Sequence, residues 1–239
     1  MQSKGKAIVL STLRYKENDL IVKCYTNKRG VVSYLQKGVL KSKRSKTKAV
    51  FFQPLMLLEI EENYIPGRSL QFLKEVRSYI PLKSIHTNVL KASLSVFIAE
   101  VLSTVLKEEE ADLELFTFIE TAIQFLDVSG NFANFHLLFL LRLTKHLGFY
   151  PDTSKDDSPY FNLESGLFEV EKSSVYALEG QLKNQFKLLL DADFSTVDQI
   201  KLNITERRDL LKTLLVYFEL HLGNFKKPKS LQVFIDVFQ

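Results

Sequence analysis

Six basic side chains, Lys37, Lys41, Lys43, Arg44, Lys46 and Lys48, fall in one stretch that contains no acid. Lysine supplies a mobile point charge, arginine can fork onto a phosphate, and the interspersed Ser42, Ser45 and Thr47 can donate hydrogen bonds. Such a set suits a phosphate backbone and lacks the variety of side chains that reads base edges. The expected ligand is therefore nucleic acid, bound largely without sequence preference. If about five of these charges displaced counterions from a single strand, the slope of log K against log salt would be roughly −3.5. Arg14 and Lys16, on either side of Tyr15, extend the set. The alternative is a basic loop that is merely solvated.

Single-strand binders also present rings on which bases stack. Tyr15, Tyr25, Tyr34, Phe51, Phe52 and Tyr64 lie in or beside the early apolar runs. A small barrel needs large inward side chains, so most of these rings are expected in the core, with Tyr15 the best placed to stack.

Catalytic chemistry finds little support in the residues. Neither GxxxxGK[ST] nor GxGxxG occurs, and the nine glycines are scattered singly at apparent turns. His86, His136, His146 and His221 lack metal-ligand spacing and are expected to pack or to cap helices. The carboxylates Glu61-Glu62, Glu108-Glu109-Glu110 and Asp156-Asp157 could be imagined as nuclease metal ligands, but contiguous acids usually form a solvated face. A single cysteine, Cys24, can build neither a disulfide framework nor a cysteine-rich zinc site. No enzyme, cofactor or metal is expected.

The elements that must carry these residues change character along the chain. Residues 6–80 read as five strands, KAIVLSTLRY, DLIVKCYT, GVVSYLQKGVL, AVFFQPLMLLEIEEN and RSLQFLKEVRSYI, separated by turn signals such as Asn27-Lys28-Arg29-Gly30 and Pro66-Gly67. Five short strands fit a small antiparallel barrel, an OB-fold by strand count, with an SH3-like barrel close on pattern alone. After Pro81 the spacing turns helical. Leu90, Leu94, Phe97, Ile98, Val101, Leu102 and Val105 make one stripe. Asp112 is expected to cap a second helix, and Asn131 a third whose apolar run Leu137–Leu141 belongs at the middle of a bundle. From Phe149 to Val175 the period fails, and YFNLESG and LFEVE suggest a loop with a short hairpin. Helical spacing returns at Leu178–Leu190, again after the capping pattern Ser195-Thr196-Val197-Asp198, and from Thr205 to His221, with a closing segment from Lys229 to Phe238. The expected class is α+β: a five-stranded OB-fold barrel over residues 1–80, then an all-helical bundle over 81–239 with a hairpin insertion at about 149–176.

Charge divides along the same line. Residues 1–80 hold 16 Lys+Arg against 6 Asp+Glu, and residues 81–239 hold 16 against 22, so the front is +10 and the rest −6. A basic front segment on a mildly acidic body points to a polyanion partner. The amino terminus has an apolar stretch of only about seven residues before charges return, too short for a leader core or a membrane span. A soluble, cytoplasmic and nucleoid-associated chain without membrane contact is expected.

The order of the pieces resembles the RecO family. Tyr15-Lys16-Glu17-Asn18-Asp19 with Leu20-Ile21-Val22, then Tyr25-Thr26 with Gly30, Lys37-Gly38 with its basic tail, and Gln53-Pro54-Leu55 are similar to the family's opening half. Phe139–Leu143 leading to Leu147-Gly148-Phe149-Tyr150-Pro151, and Tyr217–Gly223 through Lys229-Ser230-Leu231, resemble its central helix and its close. The resemblance implies an OB-fold followed by a helical domain, binding to single- and double-stranded DNA, and annealing of complementary strands. It also implies partnership with RecR and with the acidic tail of single-stranded DNA-binding protein, and loading of RecA. Many relatives carry two CxxC pairs after the Gly-Tyr-Pro turn. No cysteine stands here at Asp152–Ser158 or beyond, so no zinc is expected and the hairpin should hold its shape by packing alone. For the acidic tail, a basic rim around an apolar pocket on the helical domain is expected, with Arg142, Lys145, Lys226, Lys227 and Lys229 as candidates. An RNA-binding OB-fold accessory protein is the alternative, separable by DNA against RNA competition. A nuclease would instead cleave DNA in the presence of Mg²⁺.

Overall fold

The computed structural model describes residues 2–41, 49–106 and 110–238. Its first part is five strands: β1 (Gln2–Tyr15), β2 (Asp19–Thr26), β3 (Gly30–Gln36), β4 (Leu57–Asn63) and β5 (Leu73–Ser78). β1 pairs antiparallel with β4 through residues 2–8 and with β2 through residues 7–15, its register shifting at a bulge between Val9 and Ser11. A bulge bends a strand, which lets one long strand serve both halves of a barrel. β2 pairs with β3 and β4 with β5. Closure comes from Gln71, which bridges Tyr34 of β3 in parallel. The Leu35 N–H donates to the Gln71 carbonyl and the Gln71 N–H to the Ser33 carbonyl, both at 2.9 Å. The barrel is the OB-fold, which resolves the choice that strand count had left open.

Alternation along the strands sends Val22, Cys24, Tyr34, Leu58 and Ile60 inward to meet Ala7 and Val9 of β1. Burial pushes the Cys24 thiol far above its ordinary range, in keeping with a packing role. One expected strand starts later than its composition suggests. Ala49–Phe52 form a 3₁₀ turn that drops Phe52 into the core, and β4 begins only at Leu57. Pro54 has no N–H for a ladder, and Leu55 takes a left-handed φ of 63°. At the β2–β3 turn, Gly30 has φ 65°, and a Cβ there would come within 2.6 Å of the Glu110 carbonyl oxygen.

Two helices complete this first compact unit, α1 (Val89–Val105) and α2 (Leu113–Val128). Asn88 caps α1, accepting from the Leu90 and Lys91 N–H groups, and Asp112 caps α2 by accepting from the Leu115 N–H at 2.9 Å. Tyr25, on the outer face of β2, packs its ring 5.9 Å from Phe116 and donates its hydroxyl to the Asp112 carbonyl. The chain leaving β5 is fastened by the buried Asp127 carboxylate, which accepts from the N–H groups of Lys83, Ser84 and Ile85 at 2.7–2.9 Å. Compactness divides the chain between Val128 and Ser129, with Pro228–Leu231 belonging to the first unit. Strands therefore give way to helices near residue 80, while α1 and α2 stay with the barrel.

The second unit holds α3 (Phe135–His146), α4 (Gly180–Asp191), α5 (Ile204–His221) and α6 (Leu231–Val237), with the short strands β6 (Tyr160–Asn162), β7 (Leu167–Glu169) and β8 (Ala177–Leu178). Residues Phe135–Leu141 of α3 are buried on all sides, so it is the central helix its composition predicts. Asn131 does not cap it. Asn134 occupies that place, and its amide donates instead to the Val197 and Ile200 carbonyls. The Ser195–Asp198 pattern yields only the 3₁₀ turn Val197–Gln199, because Asp193 accepts from the Ser195 and Thr196 N–H groups and closes a local turn. α5 starts at a capping box formed by Asn203 and Glu206.

The β6–β7 hairpin forms as expected, but not by packing alone. Glu169 accepts from Asn162 at 3.1 Å, from Ser165 at 3.2 Å and from Ser173, and Asn162 also donates to Ser173 at 3.0 Å. Lys187 of α4 binds Asp156 and Asp157 at 2.9 Å each. The bonds around Glu169 tie the hairpin locally, within 4 to 11 positions, while Lys187 fastens the preceding loop to a helix 30 positions on.

Candidate nucleic-acid interface

Seven consecutive residues, 11–17, are exposed, so the β1–β2 hairpin carries Arg14, Tyr15 and Lys16 into solvent. Its turn is tied to the exit of β3. Asp19 accepts from the Gly38 N–H at 2.8 Å, and the Asn18 carbonyl from the Leu40 N–H at 3.0 Å. Gly38, at φ 67°, supplies the left-handed residue that turns Lys37 and Lys41 toward the hairpin. Lys16, Lys37 and Lys41 consequently line one open concavity with Glu17, Asn18 and Asp19. Arg14 folds back to donate to the Glu17 carbonyl at 3.3 Å, and the Lys16 ammonium stands 5.4 Å from the Tyr15 ring centre. Four cations face two acids here, and the Asp19 carboxylate is engaged with backbone. Lys43, Arg44, Lys46 and Lys48 lie outside the described residues, on the chain that continues from Lys41.

The aromatic residues separate cleanly. Tyr25, Tyr34 and Phe52 are buried, and Phe51 is partly buried against the barrel core. Burial and the Asp112 charge push Tyr25 up to about 12. Burial, then Glu62, raises Tyr34 further. Tyr15 is exposed, and Tyr64 is half-buried with the Arg29 guanidinium 3.9 Å from its ring centre. Sequence reasoning missed Phe72, which has Arg68 at 4.6 Å and Lys37 at 5.6 Å from its ring centre. The available signal was the Arg68-x-x-x-Phe72 spacing just after the Pro66-Gly67 turn.

The acidic residues do not converge. Glu61 and Glu62 are buried rather than solvated, and each serves a different set of cations. Glu61 binds Lys74 at 2.9 Å and Lys4 at 3.7 Å, whereas Glu62 accepts from Arg29 at 3.1 Å and from the Tyr34 hydroxyl at 2.8 Å. Glu110 is exposed, and Glu108 and Glu109 lie outside the described residues. Among the histidines, His86 bonds the Pro54 carbonyl and His221 the Leu163 carbonyl.

Of the residues expected to meet a partner protein, Arg142 is occupied. It donates to the Tyr150 hydroxyl at 2.7 Å and to the Leu190 and Ala192 carbonyls, neutralising the carboxyl end of α4. Lys145, Lys226, Lys227 and Lys229 are exposed, with Lys227 paired to Glu219 at 3.1 Å. A different feature of the second unit fits a basic rim on an apolar pocket. His136, Leu211, Phe234 and Phe238 line a cleft flanked by Arg207 and Arg208.

The barrel, its cationic hairpin and the helices that follow make this an OB-fold protein with a basic surface; the family it matches gives it a role in DNA repair and recombination. The chain belongs to the recombination protein O family, matching the profile "Recombination protein O N terminal" over residues 1–79 and "Recombination protein O C terminal" over residues 86–232. It is 45% identical to the protein named DNA repair protein RecO of Christiangramia forsetii, over 98% of each chain. It is 44% identical to that of Flavobacterium psychrophilum over the full length of both, and 35% identical to that of Bacteroides fragilis, again over the full length. No helix among the described residues is long and apolar enough to cross a membrane.

Proposed function

We propose that this chain is a recombination mediator that holds DNA without making or breaking its bonds. It binds single- and double-stranded DNA largely without sequence preference, anneals complementary strands and, with RecR, helps load RecA onto strands covered by single-stranded DNA-binding protein. The supporting observation is the gathering of Lys16, Lys37 and Lys41 around one concavity beside the exposed Arg14, from which the chain runs on into Lys43, Arg44, Lys46 and Lys48. Cations held on one surface lower the repulsion between two phosphate backbones, so complementary bases can meet. Annealing needs no catalytic residue.

The acidic tail of the single-strand-binding partner is assigned to the cleft of His136, Leu211, Phe234 and Phe238, with Arg207 and Arg208 meeting its carboxylates. Lys145, Lys226, Lys227 and Lys229 steer that partner, while Arg142 acts through the position of α4.

Fluorescence anisotropy over a range of salt concentrations tests the DNA surface. Replacing Lys16, Lys37 and Lys41 by Ala should weaken binding and flatten the single-strand salt slope by about 0.7 per lost contact. Replacing Lys43, Arg44 and Lys46 should act in the same way. Unchanged affinity and slope in both variants would overturn the assignment.

A further inference from the structure

We infer that α6 is a latch: the closing helix of the chain occupies the cleft assigned to the acidic tail, and the tail must displace it to bind. The inference rests on that assignment. It gives Phe234 and Phe238 a different part, as occupants of the cleft rather than as fixed walls.

The first argument is room. α3 and α5 contribute His136 and Leu211 to the cleft, with Arg207 and Arg208 beside them, and α6 contributes Phe234, Ile235 and Phe238. The space left to the centre of a water-sized sphere is about 20 Å³, little more than a single water requires. A peptide with apolar side chains cannot enter such a space until one wall gives way.

The second argument is which wall can give way. α3 is buried along Phe135–Leu141, and α5 is an 18-residue helix with Leu210, Leu211, Leu214 and Leu215 in the core. α6 has 7 residues, too few for a helix that stands without packing, and of its described residues only Phe234 is buried. Its start is held by a clasp. Ser230 donates through its N–H at 2.9 Å and its hydroxyl at 2.8 Å to one carboxylate oxygen of Glu100 on α1.

The third argument is the chemistry of the occupant. Phe234 and Phe238 stand one helical turn apart with ring centres 4.5 Å from each other, and they cover the His136 imidazole at 5.0 and 5.9 Å. Asp236 lies between them in sequence. α6 thus brings rings and a carboxylate to a cleft flanked by two arginines, the pairing that an apolar pocket with a basic rim selects. The fit is imperfect, because the buried Nδ1 of His136 has no partner among the described residues and phenyl rings supply none. A peptide backbone brings N–H and C=O groups of the kind that satisfies such an atom, so the tail has something to gain that α6 does not offer.

The test uses the full chain and a fluorescently labelled peptide copying the acidic tail of single-stranded DNA-binding protein. In hydrogen exchange followed by mass spectrometry, saturating peptide should slow exchange in α5 and speed it in residues 231–238, since a displaced helix loses its hydrogen bonds. A fixed wall would instead be protected together with α5. In fluorescence anisotropy, Phe238→Ala and Glu100→Ala, which loosen α6 at its two ends, should each tighten peptide binding by roughly 10-fold, the reciprocal of an open population of about 10% in the unaltered chain. The exchange measurement needs no substitution, so it decides even where a variant folds poorly. If the peptide protects α5 but leaves α6 unchanged or more protected, or if both substitutions leave binding unchanged or weaker, the latch is refuted while the tail assignment stands. A peptide that binds without protecting α5, or that binds none of the three chains, overturns the tail assignment and the latch with it.

Discussion

His136 is buried against Phe234 and Phe238, with ring centres 5.0 and 5.9 Å away, and its Nδ1 has no hydrogen-bond partner among the described residues. Burial, helped by the Arg207 charge, pushes its pKa down to about 3 from an ordinary 6.5. Between those values the unfolded chain takes up a proton that the folded chain refuses. Its contribution to stability is therefore complete above about pH 6.5 and declines as the pH falls toward 3. Denaturant unfolding at pH 7, 5.5 and 4.5 should show that decline, and His136→Leu should flatten it; an equal decline in the variant would contradict this account. Arg142 carries a related lesson. A lone arginine on the central helix looks like a docking residue in sequence, yet its donors go to Tyr150 and to the last carbonyls of α4. Those acceptors lie eight or more positions away in the chain, where no local pattern reveals them.

Elements with strong periodicity were legible from composition, and those fixed by a single distant side chain were not. The alternation in β2, the stripe of α1 and the all-apolar run of α3 each name their own element. The 3₁₀ turn Ala49–Phe52 hides in a run of β-forming residues, because the need to fill the core with Phe52 outweighs propensity. The ties of Lys187 to Asp156 and Asp157 were invisible for the same reason as those of Arg142: the partners meet only after the chain has folded back. Asp127 is the most consequential of these ties. Burial alone would raise its pKa, but the N–H groups of Lys83, Ser84 and Ile85 and the Ser84 hydroxyl hold the carboxyl below the usual range. Its contribution is present above about pH 3.9, the unfolded value, and is lost as pH falls through the depressed folded value. Asp127→Ala leaves the N–H groups of Lys83, Ser84 and Ile85 without their acceptor, the last of them buried, and should cost about 2 kcal/mol. Urea unfolding at pH 7 would measure this, and a loss below about 0.5 kcal/mol, the scatter of ordinary surface substitutions, would contradict it.

On the scale of the whole molecule, the +10 front and −6 remainder put the excess of positive charge on the barrel, the side on which the proposed DNA surface lies. Every residue of the candidate DNA surface was legible in the sequence, as a run of lysines and the Arg14-Tyr15-Lys16 triplet, but their meeting was not. That meeting required the fold, since Lys16 and Lys37 come together only because Asp19 and Asn18 fasten two turns 19 and 22 positions apart. The most direct test of a mediator that holds DNA and engages a partner is annealing of complementary strands, naked and coated with single-stranded DNA-binding protein. The chain should accelerate both. The Lys16, Lys37, Lys41 alanine variant should fail on both, and Arg207→Ala with Arg208→Ala should fail only on coated strands. Annealing indifferent to the lysines, or no acceleration by the unaltered chain, would contradict the account.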